Sequence, residues 1–118
     1  MEDQNRPVFL QLSERLENEI ISGQLQEDQQ IPSINELASF YRINPATALR
    51  AVTMLVDEGV LYKKRGIGMF VSVGAKKTLV EKHLTQFNQS FIRPLLVEAK
   101  KLELTEDKII KMLRKESK

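Results

Sequence analysis

The chain has 118 residues, 42% of them hydrophobic and 29% charged, a composition that suits one compact domain with a small appendage. It has no cysteine, which excludes disulfides and thiolate zinc sites, and its single histidine, His83, is too little for a catalytic triad, so we expect no metal and no cofactor. The net charge is only +2, no apolar run has membrane-spanning length and the N-terminus lacks a signal peptide, so we expect a cytoplasmic protein without a membrane partner.

A first amphipathic helix is predicted over residues 8–22. Its apolar residues recur at four-residue spacing, at Val8, Leu12, Leu16 and Ile20, with Phe9 and Leu10 beside them. Pro7 suits the first turn of this helix and Gly23 suits its end. Residues 24–32 are polar, and we expect them to be irregular.

A short second helix of about two turns is predicted to begin at Ser33. Ser33 and Glu36 have the spacing of a capping box, in which each side chain satisfies a backbone N–H group of the other residue. We expect the core-facing side chains to be Leu37, Ala38 and either Phe40 or Tyr41. The turn follows at residues 41–43, with Ile43 buried in it.

A third helix is predicted to begin at Asn44-Pro45, because Asn is a strong N-cap and Pro is favoured at the first helical position. The predicted inner face consists of Ala48, Ala51, Val52, Leu55 and Val56. The opposite face carries Ala46, Leu49, Arg50 and Thr53. We expect Gly59 to end the helix.

A β-hairpin with a cationic tip is predicted next. Residues 60–62 and 69–71 are the strands, and the connection runs from Lys63 to Gly68. Gly66 and Gly68 supply backbone conformations that other residues resist. Gly74 is predicted to end this domain, which would span residues 1–74.

The remaining residues, 75–118, predict a helical tail. Its apolar side chains form a stripe at helical spacing, Val80, Leu84, Phe87, Phe91 and Leu95. Pro94 should kink or split the helix, and Thr105 should cap a last helix at about residues 106–115, with Ile109, Ile110 and Leu113 inward. The short last helix cannot cover this stripe, so we expect the stripe to form the interface of a two-fold homodimer.

Cations are concentrated near the third helix and the hairpin, although residues 1–74 carry 7 Lys and Arg against 10 Asp and Glu. Unpaired N–H groups and the dipole at the start of the third helix would attract a phosphate, to which Asn44 and Thr47 can add hydrogen bonds. Arg50 can reach a base edge, and Leu49 can contact a thymine methyl group. The other cations are Arg42 at the turn and Lys63, Lys64 and Arg65 on the hairpin.

Each of these features has an ordinary structural explanation when taken alone. Asn44-Pro45 is a good helix start, Arg50 could be a solvated surface residue and the lysines could keep a hairpin soluble. Their order along the chain predicts a winged helix-turn-helix, mainly α with a small β-hairpin wing, that binds double-stranded DNA. The alternative is a winged-helix module for protein–protein contact. An enzyme is not expected, because the acidic pairs lie at helix ends and Gly66-Ile67-Gly68 is too short for a nucleotide loop.

The motifs over residues 7–73 resemble the GntR family of bacterial transcription regulators. They are Pro7 to Leu12, Ile21 to Leu25, Ile31-Pro32-Ser33, Glu36-Leu37-Ala38, Asn44-Pro45, Thr47, Arg50-Ala51, Glu58-Gly59, Arg65 to Gly68 and Phe70-Val71. The Asn-Pro pair and the short tail resemble the YtrA-type branch. The resemblance implies a dimeric repressor that reads an inverted-repeat operator.

The resemblance also assigns DNA-facing positions, at Ser33, Asn44, Thr47, Arg50, Arg65, Gly66 and Gly68. Pro45 and Ala46, in the first turn of the same helix, complete the predicted DNA-binding surface. Asn35 stands where the family has an arginine and Leu49 where the branch has a small polar residue, so both bear on which operator is read. The family's glycine before the last helix is replaced by Leu104. Any small-molecule effector is unknown, and we expect it to bind weakly at a crevice.

Overall fold

The computed structural model describes Met1 and residues 3–118, which form helices and one β-hairpin, as the sequence predicts. In chain order the elements are α1 (Val8–Ser22), α2 (Ile34–Tyr41), α3 (Pro45–Asp57), β1 (Leu61–Lys64), β2 (Gly68–Val71), α4 (Ala75–Phe87), a π-helical turn (Asn88–Ile92), α5 (Arg93–Lys101) and α6 (Glu106–Glu116). The chain divides into two compact units, Met1–Glu81 and Lys82–Lys118.

The core of the first unit lies between α1, α2 and α3, where the predicted apolar faces meet. The fully buried side chains include Leu12, Leu16 and Ile20 of α1 and Ala48, Ala51, Val52 and Leu55 of α3. From α2, Leu37 and Ala38 are buried and Tyr41 packs against them, whereas Phe40 is 77% exposed, so Tyr41 is the aromatic residue that faces the core.

The first unit continues into α4, because Ala75 and Leu79 are completely buried in its core. It therefore extends seven residues beyond Gly74, where the sequence suggested a boundary.

Local caps fix where α2 and α3 begin. The Ser33 hydroxyl oxygen accepts a hydrogen bond from the Glu36 N–H at 3.1 Å, and the Glu36 carboxylate accepts one from the Ser33 N–H at 2.9 Å, which confirms the capping box. Asn44 is the N-cap of α3, with Pro45 in its first turn, as predicted.

The hairpin strands are longer than predicted, and the turn is correspondingly shorter. The antiparallel register runs from Leu61 opposite Val71 to Lys64 opposite Gly68. The Ile67 N–H donates to the Lys64 carbonyl at 2.9 Å, which closes a turn of only Arg65, Gly66 and Ile67. Placing Lys63 and Lys64 in the connecting loop was therefore wrong, because backbone pairing continues through both.

The segment before α2 is irregular, as expected for residues 24–32, apart from an isolated β-bridge between Gln30 and Phe70 and three backbone hydrogen bonds to β2. The Asp28 N–H donates to the Val71 carbonyl at 2.7 Å, the Val71 N–H to the Gln29 carbonyl at 2.9 Å, and the Ile31 N–H to the Met69 carbonyl at 2.9 Å. These bonds occupy the second edge of β2. Because backbone groups make them, the polar side chains of this segment gave no signal of strand pairing.

In the second unit, a π-helical turn separates the end of α4 from α5. The Arg93 N–H donates to the Asn88 carbonyl, the five-residue spacing of a π turn. Pro94, which lacks an N–H group, follows directly in the first turn of α5. The predicted split of the helix is thus a π-helical turn just before the proline.

The last two helices of the second unit meet at a turn through Glu103, whose φ is +56°. The Leu104 N–H donates to the Ala99 carbonyl and the Glu103 N–H to the Lys100 carbonyl, the bonds of a Schellman motif. The residue with the left-handed conformation is thus Glu103, one residue before Leu104, where the sequence comparison with the family placed the missing glycine. Thr105 caps α6 as predicted, but Leu113 is 54% exposed, which corrects its inward assignment.

Candidate nucleic-acid interface

The turn between α2 and α3 fixes the direction in which α3 leaves the core. Arg42 ends α2 in the left-handed conformation, with φ +54°. The Ile43 N–H donates to the Ala38 carbonyl at 2.9 Å, and the Ile43 side chain packs against the core, as predicted. Arg42 is exposed, and its left-handed conformation, which favours glycine, carries a cost in backbone strain.

The first turn of α3 is exposed at Asn44, Pro45 and Ala46, but its N–H groups are not free. The Asn44 side-chain oxygen accepts from the Ala46 N–H at 2.8 Å, and the Asn44 carbonyl accepts from the Thr47 N–H at 2.9 Å. The expectation of unpaired N–H groups at this terminus was therefore wrong, because the cap satisfies them. What remains for a phosphate is the helix dipole and the NH₂ donors of Asn44.

The outward face of α3 presents the side chains that the sequence placed there. Leu49 is 48% exposed, Arg50 is exposed and Thr47 is half-buried beside them. The Arg50 guanidinium carbon lies 3.8 Å from the centre of the Phe9 ring of α1. Phe9 did not figure among the predicted site residues, because no spacing rule links two helices so far apart in the chain.

On α2, Ser33 and Asn35 are both exposed, as a contact with DNA would require. The Ser33 hydroxyl takes part in the capping box, where its oxygen accepts a hydrogen bond from the Glu36 N–H. The capping bonds from Ser33 lower the pKa of Glu36 below its ordinary value.

The wing, residues 61–71, is a two-stranded hairpin whose turn carries one cation, Arg65. Tyr62 and Phe70 stack with ring centres 5.7 Å apart, and the Lys64 ammonium lies 4.5 Å from the centre of the Phe70 ring. Lys63 is on the opposite face, because side chains alternate along a strand. Arg65 and Gly66 lie in the turn, and Gly66 has φ +77°.

Two side-chain hydrogen bonds add to the backbone bonds between the wing and the segment before α2. The Tyr62 hydroxyl donates to Asp28 at 2.9 Å, and this hydrogen bond raises the pKa of Tyr62. Gln30 donates to the Ile67 carbonyl at 3.0 Å, and a Cβ atom on Gly68 would lie only 2.6 Å from the Gln30 amide nitrogen. Gly68 has φ +148°, a conformation that favours glycine whatever its relation to DNA, and a larger residue there would also displace the flexible end of the Gln30 side chain.

The tail stripe is open to solvent within the second unit. Leu84 is 60% exposed, Phe87 51%, Phe91 64% and Leu95 37%, and the two phenylalanine rings lie 5.4 Å apart. Val80 belongs to the first unit and is half-buried. Four of the five predicted interface residues thus form an exposed apolar surface.

Neither a membrane span nor a metal centre is found in the described part of the chain. Over Met1 and residues 3–118, no helix combines the length and apolar character needed to cross a bilayer. Over the same residues, no three acidic, histidine or cysteine side chains converge on a point where an ion could bind.

Residues 10–71 match the family described as bacterial regulatory proteins, gntR family. The chain belongs to the GntR family. The match covers the helix-turn-helix and the wing, so the fold and the family predicted from the motifs are both confirmed.

Within the GntR family, the HTH-type transcriptional repressor YtrA of Bacillus subtilis is 30% identical over 93 residues, which cover 79% of this chain and 71% of YtrA. A solved transcriptional regulator from Oenococcus oeni superposes with a TM-score of 0.79 at 27% identity, covering 100% of this chain and 97% of that one. Likeness to this regulator extends through the tail.

The DNA-binding domain of AraR, solved in complex with operator ORX1, superposes with a TM-score of 0.55 at 34% identity, covering 57% of this chain and 81% of that one. Other curated members of the family are longer, and the chain spans only 27% to 30% of the length of two that it matches.

Proposed function

We propose that this chain is a sequence-specific DNA-binding transcription regulator, a repressor of the YtrA type and not an enzyme. The observation that carries the proposal is the set of exposed side chains on α3 and its cap, Asn44, Leu49 and Arg50, on a helix that contacts β1 of a wing with Arg65 in its turn. A related domain with the same fold is solved on an operator, which supports DNA as the partner. The bacterial chromosome lies in the cytoplasm, so the protein would act there.

The two parts of this surface have different tasks. The α3 face offers a guanidinium and an apolar side chain, groups that discriminate between bases in a major groove. The wing cations and Arg42 contact phosphates, which fixes position without reading sequence. Operator choice then depends on Leu49 and Arg50, with Asn35 on α2 available as a further contact.

The exposed tail stripe supports assembly as a homodimer. Leu84, Phe87, Phe91 and Leu95 would bury their apolar surface against the same residues of a second copy, and burying such a side chain is worth about 1.5–3 kcal/mol. Two-fold symmetry presents two α3 helices to two half-sites, so the operator would be an inverted repeat.

The test is a gel-shift titration over a salt series, with DNA selected from a random library and a scrambled duplex of equal length. We expect selective binding that weakens steeply with salt, because phosphate contacts release counterions. A protein that binds both duplexes equally weakly, with no salt dependence, would favour the alternative, a winged-helix module for protein–protein contact.

A further inference from the structure

Arg50 does not extend freely from α3, because its guanidinium lies against an aromatic ring of α1. The distance of 3.8 Å from the guanidinium carbon to the Phe9 ring centre is well within the range of about 6 Å for a cation–π contact. It is also a normal van der Waals separation for a planar group resting on a ring.

The ring is the fixed partner and the arginine is the mobile one. Phe9 is the second residue of α1, it is half-buried, and it packs against the core of the first unit. Since α1 packs against α3, the ring is held at a set position relative to the α3 backbone. Arg50 is an exposed residue with a long side chain, and the ring limits the rotamers that it occupies before any ligand binds.

A stacked guanidinium keeps its ability to donate hydrogen bonds. Its five N–H groups lie in the plane of the group, whereas the ring covers one face of that plane. The edge that forms a bidentate pair with guanine O6 and N7 therefore remains available. A lysine at the same position could not combine these two properties, because its ammonium is neither planar nor forked.

We infer that Phe9 is a positioning residue for Arg50, which it holds in an orientation suited to reading a base edge in the major groove. This inference rests on the proposed function. It assigns to α1 a share in operator selectivity, although Phe9 itself contacts no base. Phe9 acts through Arg50, so its contribution disappears when Arg50 is removed.

The test is a double-mutant cycle with a matched pair of variants at position 9. Phe9→Met removes the ring and keeps apolar bulk, whereas Phe9→Tyr keeps the ring. Each is combined with Arg50→Ala, and affinities for the selected operator and a scrambled duplex are measured over a salt series. We expect Phe9→Met to lower the operator-to-scrambled ratio about three- to tenfold with an unchanged salt slope. Phe9→Tyr should retain the wild-type ratio, and Phe9→Met should have no further effect when Arg50 is already Ala.

A measurement on the wild-type protein tests whether Phe9 holds Arg50 in place even if Phe9→Met does not fold. A guanidinium stacked on a ring brings the Arg50 δ-protons into the ring current, which shifts their NMR resonances upfield. We expect this shift both in the free protein and in the operator complex. Its absence in the complex, or equal effects of Phe9→Met with and without Arg50, would overturn the inference. A wild-type protein without operator selectivity would instead contradict the proposed function itself.

Discussion

Arg50 is the residue on which base reading depends most directly. Changing Arg50 to Ala should cost about 1–3 kcal/mol of operator binding and relax preference at one or two base positions. Selection of bound DNA from a random library measures this preference for both proteins. Thr53→Ala, one turn further along the exposed face of α3, is the matched control. If the wild type and Arg50→Ala selected the same consensus DNA sequence, Arg50 would contact phosphates and not read bases.

The capping box of α2 makes the stability of the folded protein depend on the charge of Glu36, and therefore on pH in the acidic range. Its folded pKa is below the ordinary value, because the Ser33 N–H and O–H bond to the carboxylate. The charged form is therefore favoured in the folded state, so the stabilisation is fully present above the unfolded pKa and is lost as pH falls through the lower folded pKa.

Glu36→Gln tests this link between charge and stability. We expect the melting temperature of the wild type to approach that of Glu36→Gln as the pH is lowered through the acidic range where glutamates titrate. Above that range the wild type should be the more stable protein. A difference between the two melting temperatures that stays constant with pH would contradict the assignment.

At the scale of the elements, the wing is expected to supply affinity that does not depend on sequence. Replacing Lys63, Lys64 and Arg65 together by Ala should weaken binding to every duplex and flatten the salt slope by about two to three units. Lys108, Lys111 and Lys115 of α6 provide a control triple with the same change in charge. A salt slope equal to that of the control would contradict the wing assignment.

The helices were predictable from sequence because their signals are local. The capping box at Ser33, the Asn44-Pro45 start and the apolar periodicity of α1 and α3 all act within a few residues. The edge pairing of residues 28–31 with β2 and the stacking of Phe9 on Arg50 could not be predicted, since both join segments about 40 residues apart through groups without a spacing rule. Likewise, the end of the hairpin strands depended on backbone pairing at Lys63 and Lys64, whose side chains suggested a loop.

At the scale of the whole molecule, assembly is expected to control operator affinity. Phe87→Glu with Phe91→Glu places charges in the exposed tail stripe, so the variant should fold but remain monomeric. It should also lose most operator affinity, because the second half-site no longer gains from linkage to the first. Light scattering and circular dichroism check the mass and the fold. Phe40→Glu, which charges another exposed phenylalanine outside the tail, is the control and should leave the mass unchanged.

The most direct test of the account is the selection of operator DNA from a random library by the wild-type protein, followed by measurement of the stoichiometry on the selected duplex. We predict an inverted repeat with half-sites about one helical turn or more apart, bound by two chains in a single step. Enrichment of no sequence, or a single asymmetric site bound by one chain, would contradict a dimeric regulator that reads DNA through α3.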